Sequence, residues 1–169
     1  ADLIAFNGSG KAPMAATADW YIENGITEIE QQSPHSVTVP AAIDAWCQLN
    51  RDHGKLDLGE ILAPAIAYAR DGYPVSSRVS VDFALASPLL EKDPNLKRIF
   101  MPGGATPKVG EMHNQPELAR TMQMVADNGR EAFYTGELAE DMVGYLRDLG
   151  GLHTMEDFAS HSGFYVEPV

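Results

Sequence analysis

The chain has 169 residues and a formal net charge of −12 at pH 7. A surface of this charge repels phosphate backbones, so we expect no nucleic-acid partner. With 44% hydrophobic and 21% charged residues, and no apolar run near the ~18 residues of a membrane span, the sequence predicts a globular fold with no membrane span.

The first quarter of the chain predicts two short strands and two helices. Residues 2–6 predict a strand that runs into a glycine-rich turn, and Met14 to Asn24 predict a helix. Residues 36–39 predict a second short strand. A helix with Pro40 near its first turn follows, and it ends near Gly54.

The next helix has a clear start signal. Asp57 and Glu60 form a capping pattern, and Gly72 is a plausible end. Pro64 falls inside the pattern and removes one backbone donor, so we expect a kink or a later start. The predicted buried stripe consists of Leu58, Ile61, Leu62 and Ile66.

The remainder of the chain is also mostly helical in pattern. Thr154 and Asp157 predict a final helix cap. Residues 101–114 predict a loop, because they contain three glycines and two prolines. Helices are predicted at Ser77 to Glu91 with a break at Pro88, at Pro94 to Phe100, from Pro116 to Gly129, and at about Glu137 to Leu149.

These elements predict a mainly α fold with one or two short strands, in a single helical domain over residues 1–169. The chain begins and ends in apolar, extended sequence, so we expect it to be a fragment of a larger chain. Part of its apolar surface would then face the missing segments.

Residues 7–13, NGSGKAP, match two known site motifs incompletely. A phosphate-binding loop needs glycine where Ala5 stands and a hydroxyl where Ala12 stands. A nucleophile elbow around Ser9 needs glycines at positions 7 and 11. Both are excluded. Two interpretations stay open: a tight turn that Gly8 and Gly10 merely permit, or the rim of a site.

The sequence gives no sign of a metal site or of an internal disulfide. No two of the five histidines stand four residues apart, and no Cys-x-x-Cys is present. Cys47 is the single cysteine, and we interpret it as a buried structural thiol. Acidic clusters beside helix ends are typical of solvated faces and caps. We expect neither a metal nor an organic cofactor.

Three stretches resemble one family, the gamma-glutamyltranspeptidases. Residues 36–76 are similar to the family's Val-Pro-Gly stretch and its Leu-x-Pro-Ala-Ile-x-x-Ala-x-x-Gly helix. Residues 128–143 are similar to its Gly-x-x-x-Phe-Tyr-x-Gly segment, and residues 150–161 to its Gly-Gly-x-x-Thr-x-Glu-Asp segment. The three stand in the family's order.

The resemblance implies a helical section of the large subunit of an αββα N-terminal-nucleophile hydrolase. Such enzymes are made as one precursor that cuts itself, and the new N-terminal threonine of the small subunit is the nucleophile. No threonine here matches that motif. The resemblance therefore implies no catalytic residue in this chain, which we expect to be inert alone. The implied partners are the small subunit and the remaining large-subunit segments.

The resemblance also gives residues 7–13 a role. With Gly8, Ala12 and Pro13 aligned on the family's Gly-Arg-Glu-Thr-Ala-Pro, Ser9 stands where the family has the arginine that grips the substrate's α-carboxylate. Losing the ion partner of a carboxylate costs on the order of 2–5 kcal/mol. We therefore predict that Ser9, Gly10 and Lys11 bind substrate, and that the substrate is an amide-linked acyl group other than that of ordinary glutathione.

A second hypothesis is a non-catalytic scaffold, or a small-molecule-binding relative, in which the family's chemistry has been lost. The sequence leaves the compartment open, since an exported and a cytoplasmic location both fit a single unpaired cysteine.

Overall fold

The structure is a computed structural model that describes residues 3–168. Within them the strands are β1 (Ala5–Asn7), β2 (Tyr73–Pro74), β3 (Met112–His113) and β4 (Phe164–Val166), and β1 pairs with β4 and β2 with β3, both antiparallel. The helices are α1 (Ala18–Glu23), α2 (Ala42–His53), α3 (Leu58–Asp71), α4 (Ser77–Leu90), α5 (Pro94–Phe100), α6 (Pro116–Asn128), α7 (Arg130–Tyr134), α8 (Glu137–Asp148) and α9 (Met155–Ala159). The predicted mainly α fold is confirmed, although residues 3–168 contain four short strands rather than one or two.

Two helices begin at the caps that the sequence predicts. Asp57 Oδ1 accepts a 2.8 Å hydrogen bond from the backbone N–H of Glu60 at the start of α3. Thr154 and Asp157 form a reciprocal capping box at the start of α9. These signals are reliable because both partners lie within four residues of each other.

The first helix is shorter than predicted. It begins at Ala18 rather than Met14, because the Thr17 side chain accepts a hydrogen bond from Trp20 N (3.2 Å) and so caps it there. The first predicted strand shifts to Ala5–Asn7, and Asp2 lies outside the described residues.

The strand predicted at 36–39 is wrong. Ser33 instead caps a 3-10 helix, Pro34–Ser36, by accepting from His35 N (3.2 Å). The two proline effects are also weaker than predicted. Helix α3 starts at Leu58 despite Pro64, and α4 runs through Pro88 to Leu90.

The chain forms two compact units. The first unit comprises residues 3–61 and 124–168, and the second comprises residues 62–123. The core of the first unit contains the fully buried Val39, Tyr134, Ala139 and Phe158. Burying large aromatic side chains of this kind contributes much of the stability of a small core.

The second unit packs a histidine into an aromatic cluster. His113 is buried, and its ring lies 5.5–5.9 Å from those of Tyr73, Phe83 and Phe100. Leu62, Ile66 and Val75 are also buried.

Two residues of the stripe predicted on α3 are not buried. Leu58 is half-buried. Ile61 is 45% exposed, because it lies about 100° around the helix from the buried line that runs through Leu62, Ile66 and Ala69. The prediction of a single helical domain that is a fragment of a larger chain stays a prediction.

No helix within residues 3–168 is both long enough and apolar enough to cross a membrane.

Candidate functional site

The candidate site forms around the loop Gly8–Pro13, which follows β1 in the first unit. Strand β1 pairs with β4, with Asn7 opposite Phe164. The Phe6 ring packs edge-on against Tyr165 at 5.1 Å. A Cβ on Gly8 would lie 2.8 Å from Ala45 Cβ, so the loop starts in close contact with α2.

Contacts with residues 38–39 hold the middle of the loop. The carbonyl of Lys11 accepts a 2.9 Å hydrogen bond from Val39 N. A Cβ on Gly10 would lie 2.0 Å from the Val39 carbonyl oxygen and 2.6 Å from Thr38 Oγ1. Glycine is therefore required at this position for a steric reason. Ser9 N donates to Asn7 Oδ1 (3.0 Å).

The end of the loop is bound by a carboxylate from α9. Asp157 Oδ1 accepts from Met14 N (2.8 Å), while Oδ2 accepts from both N–H and O–H of Thr154 (2.9 and 2.7 Å). Burial acts to raise the pKa of Asp157, but these hydrogen bonds outweigh it and the pKa lies below its ordinary value. Asp157 thus serves as a helix cap and as an anchor for the loop.

A small cavity of ≈ 190 Å³ lies beside the loop. Its lining includes Lys11, Ala12, Met14, Val39, Asp157 and His161. His161 is only 2% exposed, and neither of its ring nitrogens has a hydrogen-bond partner among the described residues. Burial lowers the pKa of His161, so its imidazole is neutral near pH 7.

A buried ion pair lies in the same unit. Asp44 is 1% exposed and accepts hydrogen bonds from Arg130 Nε (2.7 Å), Gln48 Nε2 (2.6 Å) and Gly163 N (2.7 Å). Burial acts to raise the pKa of Asp44, but the bonds from Gly163, Arg130 and Gln48 outweigh it and lower the pKa. Arg130 also donates to the carbonyl oxygens of Ala159 and His161.

Tyr134 connects this pair to the chain that precedes α2. Its hydroxyl donates to the Pro40 carbonyl (2.6 Å) and accepts from Asp44 N (3.0 Å). Burial raises the pKa of Tyr134 to about 12, so the hydroxyl stays protonated. The Arg130 guanidinium lies 4.7 Å from the centre of the Tyr134 ring, within range of a cation–π contact.

The structure brings the predicted site residues together only in part. Lys11 lines the cavity, and Gly10 packs against Thr38 and Val39. Ser9 lies on the exposed part of the loop, outside the cavity lining. Sequence reasoning missed Asp44, Arg130 and His161. The sequence offered one signal. Asp44 follows the apolar Ala41 by three residues, and this helical spacing places its carboxylate on the same inward face.

No group of three or more His, Cys, Asp or Glu side chains within residues 3–168 is arranged to hold a metal ion. Cys47 is half-buried, and burial raises the pKa of its thiol.

Comparison with known proteins confirms the family resemblance. A family model described as gamma-glutamyltranspeptidase matches residues 1–169. The glutathione hydrolase-like YwrD proenzyme of Bacillus subtilis is 36% identical over 165 residues, which are 97% of this chain and 31% of that protein. The oxamate amidohydrolase proenzyme of Klebsiella pneumoniae is 34% identical over 168 residues, 95% of this chain and 31% of that protein.

Solved structures agree with the sequence relatives. The cephalosporin acylase of Bacillus halodurans matches with a TM-score of 0.93 and 35% identity, over 99% of this chain and 33% of that one. The chain thus spans about a third of the length of these relatives. A match of the family model over the whole chain, together with this agreement in fold, means that the chain belongs to the gamma-glutamyltranspeptidase family.

Proposed function

We propose that the chain is the helix-rich part of the large subunit of an amidohydrolase or acyltransferase that cuts its own precursor. The observation that supports this proposal most strongly is the family match over residues 1–169, together with the TM-score of 0.93 to an acylase. The nucleophile would be the N-terminal threonine of a small subunit, outside this chain, with its own amine as base. The chain alone would then be catalytically inert.

In this proposal the loop Gly8–Pro13 shapes the acyl-binding pocket. Ser9 occupies the position at which the family has its carboxylate-binding arginine. A guanidinium gives two parallel charge-assisted hydrogen bonds to a carboxylate, whereas a serine gives at most one neutral bond. Lys11 supplies a point charge at the rim of the adjacent cavity. The pocket therefore suits an acyl group other than γ-glutamyl.

The range of chemistry among the relatives supports a different acyl group. Two relatives with substantial identity are described as an oxamate amidohydrolase proenzyme and a cephalosporin acylase. Both descriptions name a substrate other than glutathione. The matches to enzymes do not favour the alternative of a non-catalytic scaffold.

The proposed partners are the small subunit and the other large-subunit segments of the same precursor. The strand pair β1–β4 leaves large apolar side chains exposed, notably Phe164, Tyr165 and Val166. Clustered apolar side chains of this kind are typical of surfaces that another segment covers.

The substitution Ser9→Arg tests the role of the loop. We expect it to raise kcat/KM for a γ-glutamyl anilide, relative to an acyl anilide without the α-carboxylate, by about tenfold in the full-length enzyme, because it restores a charge-assisted pair. Thr27→Arg is the matched control, since it adds the same charge at an exposed position of the same unit. An unchanged substrate ratio in Ser9→Arg would exclude a substrate-binding role for this position.

A further inference from the structure

The buried imidazole of His161 lacks any hydrogen-bond partner within residues 3–168. Its two ring nitrogens are both unpartnered, although the side chain is only 2% exposed. His153, which is equally buried, bonds through Nε2 to the Val37 carbonyl at 2.9 Å. Leaving a buried polar group unpaired is unfavourable, because the group loses its hydrogen bonds to water without gaining others. A group that pairs with His161 is therefore expected.

The cavity beside His161 limits the size of that group. Its ≈ 190 Å³ is less than the ~300–1,000 Å³ of sites that enclose a whole drug-sized ligand. The rest of its wall is mixed: Ala12, Met14 and Val39 are apolar, and the other lining residues, Lys11, Asp157 and Ser160, are charged or polar. The cavity thus suits one small end of a longer molecule.

The charges around the cavity favour an uncharged end group. Lys11 and Asp157 are both part of the lining and carry opposite charges. Asp157 already accepts three hydrogen bonds, so its oxygens are engaged. A carboxylate placed here would be desolvated and repelled by Asp157, and the exposed Lys11 would offset this only in part because solvent screens its charge. A neutral imidazole offers one N–H donor and one acceptor nitrogen.

We propose that His161 is a specificity-determining residue whose imidazole hydrogen-bonds an uncharged carboxamide at the far end of the substrate's acyl group. A primary carboxamide carries both a donor and an acceptor, so it can satisfy either nitrogen of the ring. This proposal rests on the proposed function, since it assumes that the cavity beside the loop receives the acyl group.

A matched pair of substrates tests the proposal in the full-length enzyme. The two are anilides with the same acyl chain, ending in a primary carboxamide or in a carboxylate. We expect the enzyme to prefer the carboxamide. His161→Phe should reduce kcat/KM for it about tenfold, mainly through KM, while changing the carboxylate substrate less than about twofold. His161→Asn, which keeps a donor and an acceptor, should restore part of the preference.

A control variant separates recognition from general damage to the fold. His113 is buried to a similar degree, belongs to the second unit and is not part of the cavity lining. His113→Phe should leave the preference between the two substrates unchanged. Equal losses on both substrates in His161→Phe would overturn the proposal.

A binding measurement keeps the proposal independent of turnover. The full-length protein, labelled with ¹⁵N-histidine, is titrated with propionamide or propionate at constant ionic strength, and the His161 signal is assigned from His161→Phe. We expect propionamide to shift the ring signals of His161 and propionate to leave them unchanged. If propionamide alone shifts the His161 signals but the full-length protein stays uncut and inactive, the proposed function is refuted while the carboxamide site is retained. Equal responses, or none to propionamide, in an active enzyme would overturn the site alone.

Discussion

At the scale of single residues, Gly10 shows why the loop needs its glycine. The Val39 carbonyl would lie 2.0 Å from a Cβ at this position, and backbone atoms cannot move aside as a flexible side chain can. Gly10→Ala should therefore displace the loop, weaken the bond between Lys11 and Val39, and lower the free energy of unfolding by about 1–3 kcal/mol. Urea unfolding measures this change.

Gly144→Ala is the matched control. Gly144 lies inside α8, and nothing lies within 4 Å of an added Cβ. Removing a glycine from the middle of a helix should raise the free energy of unfolding by about 0.5–1 kcal/mol. If the two variants had the same stability, the steric explanation of Gly10 would be wrong.

At this scale, the sequence predicted side-chain contacts best where the two contacting residues are close in the chain. The pairs Asp57–Glu60 and Thr154–Asp157 were predicted because a capping pattern spans only four residues. The second contact of Asp157, with Met14, joins residues 143 positions apart. Hydrophobic periodicity and capping patterns carry no information on such a pairing, so the anchor of the loop could not be predicted.

At the scale of elements, Asp44 joins α2 to α7 and to the residue that precedes β4. Its carboxylate holds Arg130 of α7 and the N–H of Gly163. Since β4 pairs with β1, and β1 leads into the loop Gly8–Pro13, this contact also supports the position of the site.

Asp44→Asn tests that role. The change leaves Arg130, which is 24% exposed, without its buried counter-charge. We expect the free energy of unfolding to fall by about 3 kcal/mol. Glu131→Gln is the control, because Glu131 pairs with the same arginine but is 71% exposed. It should change the free energy of unfolding by less than about 0.5 kcal/mol.

The effect of Asp44→Asn should depend on pH. The pKa of Asp44 is lower in the folded state, so the unfolded chain binds the proton first as the pH falls. The stabilisation is present above the ordinary pKa of about 3.9 and is lost as the pH falls through the lower pKa of the folded state. In urea unfolding below pH 4, the free energies of unfolding of Asp44→Asn and of the unchanged protein should converge. A constant difference down to pH 2 would contradict this role.

The predicted bounds of α5, α6 and α8 agree closely with those in the structure. Helix α7 and the strand pairs were not predicted. A two-residue strand such as β2 has no periodicity to detect, and its pairing with β3 joins residues 40 positions apart in the chain. Ser33 caps a 3-10 helix at Pro34–Ser36, and residues 37–39 after it form no strand although Val37 and Thr38 are β-branched.

At the scale of the whole molecule, the family and the mainly helical architecture were recognisable from the sequence, while the division into two compact units was not. The family pattern lies in residues 36–76, 128–143 and 150–161. The buried cluster of Asp44, Arg130 and His161 joins those segments in three dimensions. Local patterns identify such segments but do not give the contacts between them.

The central claim is that this chain belongs to an enzyme that cuts its own precursor. The most direct test is the mass of the full-length protein under denaturing conditions, with the N-terminal sequence of any smaller fragment. We predict two chains, the smaller beginning with threonine and the larger containing residues 1–169. A single uncut chain would contradict the claim, and the family relationship would then describe ancestry rather than activity.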